Sequence, residues 1–159
     1  MDDARNAPAP IVKTIEINAP TAVVFDMFVL RFGDWWPAAK FSRTRGATPQ
    51  SITLDATVGG AIYETSASGE RLAWGRVLEI DMGRRIVMAW HLGRPVETVV
   101  DVQFEAIGSD RTLVRLEHRG WEKLDAAGAT VERQGYDQGW SLILEHAFKA
   151  FTAVVGRSS

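Results

Sequence analysis

The clearest structural pattern in the chain lies in residues Ala129–Val155, ATVERQGYDQGWSLILEHAFKAFTAVV. Its apolar side chains recur at steps of three and four residues, which is the spacing of one face of an α-helix. Gly135 and Gly139 are poor helix formers one turn apart, and they indicate close backbone approach or a softened helix near the mouth of a cavity. The stretch therefore predicts one long amphipathic helix. Its apolar stripe comprises Tyr136, Trp140, Ile143, Leu144, Ala147, Phe151 and Val154.

The preceding stretch, Glu97–Gly120, reads ETVVDVQFEAIGSDRTLVRLEHRG and predicts a β-hairpin of two strands, Glu97–Ile107 and Thr112–Gly120. Apolar and polar residues alternate on both sides of Gly108-Ser109-Asp110, which is a strong hairpin loop. Alternation places Val114, Leu116 and His118 on one face of the second strand. One face of the sheet is therefore expected to be covered and the other to meet water, as in an antiparallel sheet. The long helix is the predicted cover.

The rest of the chain alternates turns with short strands and helices. Ile11–Ile17 predicts a strand, Thr21–Leu30 a helix opened by Pro20, and Arg31–Pro37 a turn or second small helix. Lys40–Gln50 is polar and predicts a loop. Further strands are predicted at Ile52–Leu54, Ala61–Ser66, Leu72–Asp81 and Arg84–Leu92.

This order predicts an α+β fold of the helix-grip type. A curved antiparallel sheet of about six or seven strands would wrap around the long C-terminal helix. Two short helices would follow the first strand. The space between sheet and helix is the natural position for a ligand.

Composition restricts the class of protein. The chain has 159 residues and a formal net charge of −2, so it shows no electrostatic footprint for nucleic acid. No apolar run reaches the roughly 18 residues that span a membrane. We interpret residues 11–156 as a single domain, residues 1–10 (MDDARNAPAP) as a disordered tail without signal-peptide character, and the protein as cytoplasmic.

The chain carries no recognisable catalytic or metal-binding motif. It has no cysteine, which excludes disulfides and thiolate chemistry, and its three histidines lack metal-ligand spacing. There is no GxSxG elbow and no phosphate-binding glycine loop. No metal and no cofactor are therefore predicted.

Six tryptophans are unusual in a core that Leu, Ile and Val could fill, and they suit the walls of a roomy apolar pocket. His118 is expected to point inward as a hydrogen-bonding or acid/base group, or else to be a satisfied core histidine. Alternation with Trp74 places Arg76 on the same face, where it requires a carboxylate or an anionic ligand. Glu64, across the hairpin, could be that carboxylate. The pair would then either hold a carboxylate or polar head of a ligand, or form only an internal or rim salt bridge. The predicted ligand-binding residues are Glu64, Trp74, Arg76, Trp90, His118, Trp121, Tyr136 and Trp140.

Trp35 and Trp36 precede Pro37 on the small helical segment. They are expected either to form a lid over the pocket mouth or to form an exposed patch that docks another protein or a second subunit. A homodimer is left open by this second alternative.

Ten short motifs are spread along nearly the whole chain: Ile15–Pro20 (IEINAP), Phe32–Pro37 (FGDWWP), Val58–Gly60 (VGG), Tyr63-Glu64, Trp74–Glu79 (WGRVLE), Arg84–Val87 (RRIV), Ala89-Trp90, Leu116–Trp121 (LEHRGW), Gly135-Tyr136 and Gly139-Trp140. In their order and spacing they resemble the START-like (SRPBCC) helix-grip superfamily. Within it, the chain is most similar to the bacterial group related to the C-terminal domain of the activator of Hsp90 ATPase. The resemblance implies a helix-grip fold and binding of apolar molecules, and some members are cyclases or hydrolases. Hsp90 is not an expected partner, because the separate N-terminal domain of that co-chaperone is lacking.

Three functions are therefore considered. The leading hypothesis is a binding protein for a small, mostly apolar molecule with one polar or anionic group. The second is a protein-interaction adaptor of the co-chaperone kind that uses Trp35, Trp36 or the wet face of the sheet. The third is an enzyme acting on a small hydrophobic substrate, in which His118, with Glu64 or Tyr136, would be the acid/base group.

Overall fold

The computed structural model describes residues 8–43 and 48–157. Its strands form one antiparallel sheet of seven, in the order β1-β7-β6-β5-β4-β3-β2. The predicted curved sheet is thereby confirmed. The strands are β1 (Ile11–Ile17), β2 (Ser51–Leu54), β3 (Ala61–Thr65), β4 (Arg71–Asp81), β5 (Arg85–Trp90), β6 (Thr98–Gly108) and β7 (Arg111–Arg119).

Two short helical pieces follow β1, as predicted. The first begins as helix α1 (Thr21–Phe25) and continues as a π-helical turn (Asp26–Leu30), and the second is α2 (Phe32–Trp35). Pro20 precedes α1 with a fixed extended backbone. The buried side chains of these pieces, among them Val24, Phe25 and Phe28, cover one end of the sheet.

The C-terminal helix comprises α3 (Ala126–Ser141), a π-helical segment (Leu142–Phe148) and α4 (Lys149–Arg157), with helical backbone at both junctions. It begins three residues earlier than the sequence pattern indicated. The reason is an N-cap: the Asp125 carboxylate accepts a hydrogen bond from the Gly128 amide at 2.7 Å. The predicted α+β helix-grip fold is confirmed.

The core lies between the concave face of the sheet and the C-terminal helix. β6 and β7 direct Val100, Val102, Val114 and Leu116 into it, all fully buried, as their alternation predicted. β1 completes this side of the sheet by pairing with β7. Most of the tail predicted at residues 1–10 and part of the predicted loop at residues 40–50 lie outside the described residues.

β4 departs from regular alternation. Ile62 of β3 pairs with Gly75 and the next residue, Tyr63, pairs with Ala73, so Trp74 is an extra residue on β4. Such a β-bulge changes which face the following side chains occupy. The close approach of β5 also requires a glycine at the bulge, because a Cβ on Gly75 would lie 1.9 Å from the carbonyl oxygen of Ala89.

The bulge makes one prediction wrong. Arg76 was expected on the apolar face beside Trp74, but it is exposed on the outer face of the sheet, where it forms an ion pair with Glu97. The inward position after Trp74 is taken by Val77, which is fully buried. The predicted pairing of Arg76 with Glu64 is likewise wrong.

Candidate functional site

Four tryptophans from four parts of the chain meet at the centre of the molecule. Trp36 follows α2, Trp74 lies on β4, Trp90 on β5 and Trp140 on α3. Neighbouring ring centroids in this tryptophan cluster are 5.1 to 5.9 Å apart, with tilted or edge-to-face geometry. Such contacts stabilise aromatic pairs beyond simple burial. Much of the expected pocket volume is therefore filled by the aromatic side chains themselves.

Trp35 and Trp36 belong to this core. Only 5% and 7% of their surfaces are exposed, so the expectation of an exposed docking patch at these residues is wrong. Each indole N–H donates to a backbone carbonyl, that of Trp35 to Phe28 at 3.1 Å and that of Trp36 to Phe41 at 2.6 Å. The second bond ties the segment after α2 to the rim of the site.

A cavity remains between α3, the segment Trp36–Phe41 and the turn that follows β5. Its volume is about 380 Å³, and it opens to solvent at one side. This volume falls within the range of small-molecule sites. The lining is mostly aromatic and aliphatic and comprises Trp36, Phe41, Trp90, Leu92, Arg94, Val131, Glu132, Gly135, Tyr136, Gly139, Trp140 and Ile143.

The two helix glycines give this cavity its space. A Cβ built on Gly135 would meet no atom within 4 Å, so the helix surface there borders open volume. A Cβ on Gly139 would touch the Phe41 ring at 3.4 Å. Both lie on α3 at the cavity wall, which agrees with the interpretation of the glycine pair as a cavity mouth.

Polar groups gather at one end of the cavity. Tyr136 lies there, and burial raises the pKa of its hydroxyl to about 12. The nearby Arg94 guanidinium and Trp90 N–H lower this pKa, and the Glu132 carboxylate raises it. The Trp90 N–H nevertheless completes no hydrogen bond of normal geometry with any described residue. Arg94 forms an ion pair with Glu132 at 3.3 Å. This group of four residues is called the polar corner below.

His118 is completely buried and lies behind the cavity wall rather than on it. The indole N–H of Trp140 donates to its Nδ1 at 3.0 Å, so Nδ1 carries no proton. Its Nε2 lies 2.7 Å from the Thr98 hydroxyl, which in turn donates to the carbonyl of Trp90 at 3.1 Å. Nε2 therefore carries the proton and donates to Thr98. Burial lowers the pKa of His118 to about 3.

This geometry favours the structural interpretation of His118. Both ring nitrogens are bonded to protein groups, which leaves neither available to a substrate. The Tyr136 ring packs against the imidazole with centroids 4.6 Å apart, but it takes no part in the hydrogen bonds. Trp121 also packs against the imidazole, with centroids 4.5 Å apart, and its indole N–H donates to the His118 carbonyl at 3.0 Å.

Glu64 is also completely buried and serves a different part of the molecule. One carboxylate oxygen accepts from the Trp74 indole N–H at 2.7 Å and also from the backbone N–H of Arg43. The Arg43 guanidinium donates to the Ala73 carbonyl at 2.8 Å. Glu64 thus holds the segment after Phe41 against β4, and it is not brought together with His118 or Arg76.

Of the eight predicted ligand-binding residues, Trp90, Tyr136 and Trp140 line the cavity. The other five lie elsewhere: Glu64, Trp74, His118 and Trp121 in the core, and Arg76 outside. Sequence reasoning missed Phe41, Leu92 and Arg94. Phe41 and Arg94 come from irregular segments without periodicity, and Leu92, predicted to end a strand, lies in the turn after β5, which ends at Trp90. It also missed Glu132, for which the spacing of one helical turn to Tyr136 was the available signal.

Within residues 8–43 and 48–157, no group of three or more His, Asp or Glu side chains could hold a metal ion. None of the helices described is long and apolar enough to span a bilayer.

Comparisons with known proteins agree with the architecture. The family model described as Activator of Hsp90 ATPase homolog 1-like protein matches residues 18–153. No curated protein matches the chain.

Solved structures match over nearly the whole chain. Protein MLL2253 from Mesorhizobium loti is 15% identical, with a TM-score of 0.68 over 95% of this chain and 99% of that one. CalC from Micromonospora echinospora, described as a self-sacrificing resistance protein, is 25% identical, with a TM-score of 0.66 over 92% and 95%. The Aha1 dimer from Colwellia psychrerythraea is 18% identical, with a TM-score of 0.60 over 86% and 91%.

Proposed function

We propose that this chain, which belongs to the family of Activator of Hsp90 ATPase homolog 1-like proteins, binds a small, mostly apolar molecule. The family lies within the START-like superfamily. The molecule would lie between the sheet and the C-terminal helix, against Trp36, Trp90 and Trp140.

The single observation that carries this proposal is the cavity itself. The tryptophan cluster closes most of the interior, yet about 380 Å³ stays open beside it, with aromatic walls and a few polar groups at one end. An apolar surface open to water is unfavourable by roughly 25 cal/mol per Å², so a ligand that covers it gains free energy. Gly135 contributes by keeping the helix wall bare.

The polar groups support binding rather than acid/base catalysis. His118 has no free nitrogen, and the Glu64 carboxylate bonds to Trp74 and Arg43 behind the cavity. Tyr136 remains protonated, because burial raises its pKa to about 12. Neither His118 nor Tyr136 is poised to exchange a proton near neutral pH.

Native mass spectrometry of the purified protein, followed by denaturing extraction, tests the proposal. We expect a co-purified apolar molecule, or else uptake of the neutral fluorescent probe N-phenyl-1-naphthylamine by the empty protein. The same spectra report whether two copies associate. A wild-type protein that neither retains a molecule nor takes up the probe would overturn the proposal.

A pair of helix variants locates the site. Gly135→Leu places a side chain in the open volume without a backbone clash, so it should abolish probe uptake. Gln138→Leu adds the same side chain at an exposed position of α3 that does not line the cavity, and it should leave uptake unchanged. If both variants lost probe uptake to the same extent, the probe would bind outside this cavity.

A further inference from the structure

Trp90 differs from every other tryptophan in its hydrogen bonding. Its Nε1 is buried and makes no hydrogen bond of normal geometry within the part of the chain that the structure describes. The other five indoles each donate to an acceptor: Trp35 to Phe28, Trp36 to Phe41, Trp74 to Glu64, Trp121 to His118 and Trp140 to His118. A buried donor without a partner is costly, so its neighbourhood needs an explanation.

The neighbour of this N–H is the hydroxyl of Tyr136, which lines the same cavity. The Arg94 guanidinium approaches the same hydroxyl. Two donors thus lie near one phenolic oxygen, although neither completes a hydrogen bond of normal geometry with it. A hydroxyl hydrogen is repelled by neighbouring donor hydrogens, so it points away from Trp90 and Arg94. No described residue accepts it.

Tyr136 therefore presents a hydrogen-bond donor at the cavity wall. The donor persists at every physiological pH, because burial raises the pKa of Tyr136 to about 12. The tyrosine ring itself is held in place by His118 and Trp121, with centroid distances of 4.6 and 5.8 Å. The position of the hydroxyl is consequently set by the protein and not by the ligand.

The charges in the polar corner determine which kind of hydrogen-bond acceptor a ligand can place beside Tyr136. Glu132 balances Arg94 at 3.3 Å, which leaves no free positive charge to offset a ligand anion. A carboxylate placed there would also meet the Glu132 carboxylate, and burial of an uncompensated charge is strongly unfavourable. A neutral acceptor oxygen suffers neither cost.

The flat walls formed by Trp36, Trp90 and Trp140 suit an aromatic framework.

We propose that the ligand is an aromatic carbonyl compound whose neutral carbonyl oxygen accepts the hydrogen of the Tyr136 hydroxyl. This inference rests on the proposed function and adds the chemical class of the ligand and the residue that orients it. Tyr136 is a binding residue in this proposal, and no covalent step is involved.

Three matched probes test the inference: 2-acetylnaphthalene, 2-ethylnaphthalene and 2-naphthoate. They share one ring system and differ in bearing a neutral acceptor, no acceptor or an anion. Binding is measured by isothermal titration calorimetry and by quenching of tryptophan fluorescence. Wild-type protein should bind the ketone about threefold to tenfold more tightly than the hydrocarbon, which is the usual net value of one hydrogen bond. The anion should bind more weakly than the ketone.

Tyr136→Phe is the decisive variant, because it removes the hydroxyl and keeps the ring contacts with His118 and Trp121. The preference for the ketone over the hydrocarbon should disappear, while affinity for the hydrocarbon stays the same. If Tyr136 had only a structural role, the variant would bind the ketone and the hydrocarbon more weakly by the same factor.

The outcomes separate the two proposals. If no probe binds wild-type protein, the proposed function fails. If the probes bind but the ketone preference is absent, or survives in Tyr136→Phe, the cavity binds ligands and the carbonyl inference is overturned. Tighter binding of the naphthoate would overturn it as well and would assign the recognition to Arg94.

Discussion

His118 shows how one buried side chain connects several elements of the fold. It lies on β7, its Nδ1 accepts from Trp140 on the C-terminal helix, and its Nε2 donates to Thr98 on β6. Only the neutral ring can make both bonds, because a protonated Nδ1 cannot accept a hydrogen bond. The same bonds that make it a good core residue make it a poor catalytic base.

Acid should therefore destabilise the protein through His118. Its folded-state pKa of about 3 lies below the unfolded value of 6.5, so between these values the unfolded state binds a proton that the folded state does not. The contribution of neutral His118 to the free energy of unfolding is complete above about pH 6.5. It is lost at about 1.4 kcal/mol per pH unit as the pH falls toward 3. Urea unfolding between pH 7 and pH 5 measures this slope.

His118→Asn should flatten the pH dependence, although it lowers stability at pH 7 because one of the two hydrogen bonds is lost. Part of the slope should remain from His91, whose pKa is also lowered by burial. His146→Asn, at an exposed position, should match the wild-type slope. A wild-type slope retained by His118→Asn would show that His118 does not control the acid sensitivity.

Individual residues also show how far the sequence could predict the site. The inward direction of His118 followed from simple alternation along β7, and it is correct. The direction of Arg76 followed from the same rule and is wrong, because the bulge at Trp74 shifts the register by one residue. The available signal was Gly75, because an isolated glycine inside a strand favours a bulge or a close backbone approach. The register shift itself depends on the pairing of two strands.

At the scale of elements, two glycines illustrate opposite uses of the missing side chain. Gly135 lies on α3 beside open volume, whereas Gly75 lies on β4 with the carbonyl of Ala89 against it. The first glycine keeps a cavity clear, and the second allows two strands to approach at a bulge.

Alanine substitutions should separate these uses. Gly135→Ala should raise the free energy of unfolding by about 0.5 to 1 kcal/mol, since alanine favours helix and its Cβ meets no atom. Gly75→Ala should lower it by several kcal/mol, roughly the range of severe core overpacking, because its Cβ would lie 1.9 Å from a backbone oxygen. Chemical denaturation of both variants checks this. Destabilisation by Gly135→Ala would indicate that the helix is more crowded than the structure shows.

Regular elements were predictable, whereas the irregular cavity walls were not. Alternation and helical spacing located the strands and the C-terminal helix, because burial of one face repeats along a regular backbone. Phe41, Leu92 and Arg94 lie outside strands and helices, so no period specifies their direction. Leu92 even adopts a positive φ of 51°, which apolar residues rarely do.

At the scale of the whole molecule, the tryptophan cluster connects α3, two strands and the segment after α2. Elements that share one packed core are expected to unfold together. Trp36→Ala should therefore lower the free energy of unfolding by about 3 to 5 kcal/mol and keep a single transition. Tryptophan fluorescence and far-ultraviolet circular dichroism should give coincident midpoints in both proteins. Separate midpoints in the variant would show that the segment after α2 unfolds independently.

The pairing of β1 with β7 has a consequence for synthesis of the protein. Ile11 of β1 pairs with His118 of β7, so β1 leaves the ribosome long before its partner strand has been synthesised. The C-terminal helix, which covers the aromatic core, is made later still. During translation the nascent chain must carry an unpaired strand and uncovered indoles, both of which invite aggregation. Folding can therefore be completed only after the C-terminal helix has left the exit tunnel. A chaperone that binds apolar segments would meet the largest exposed apolar surface just before that step.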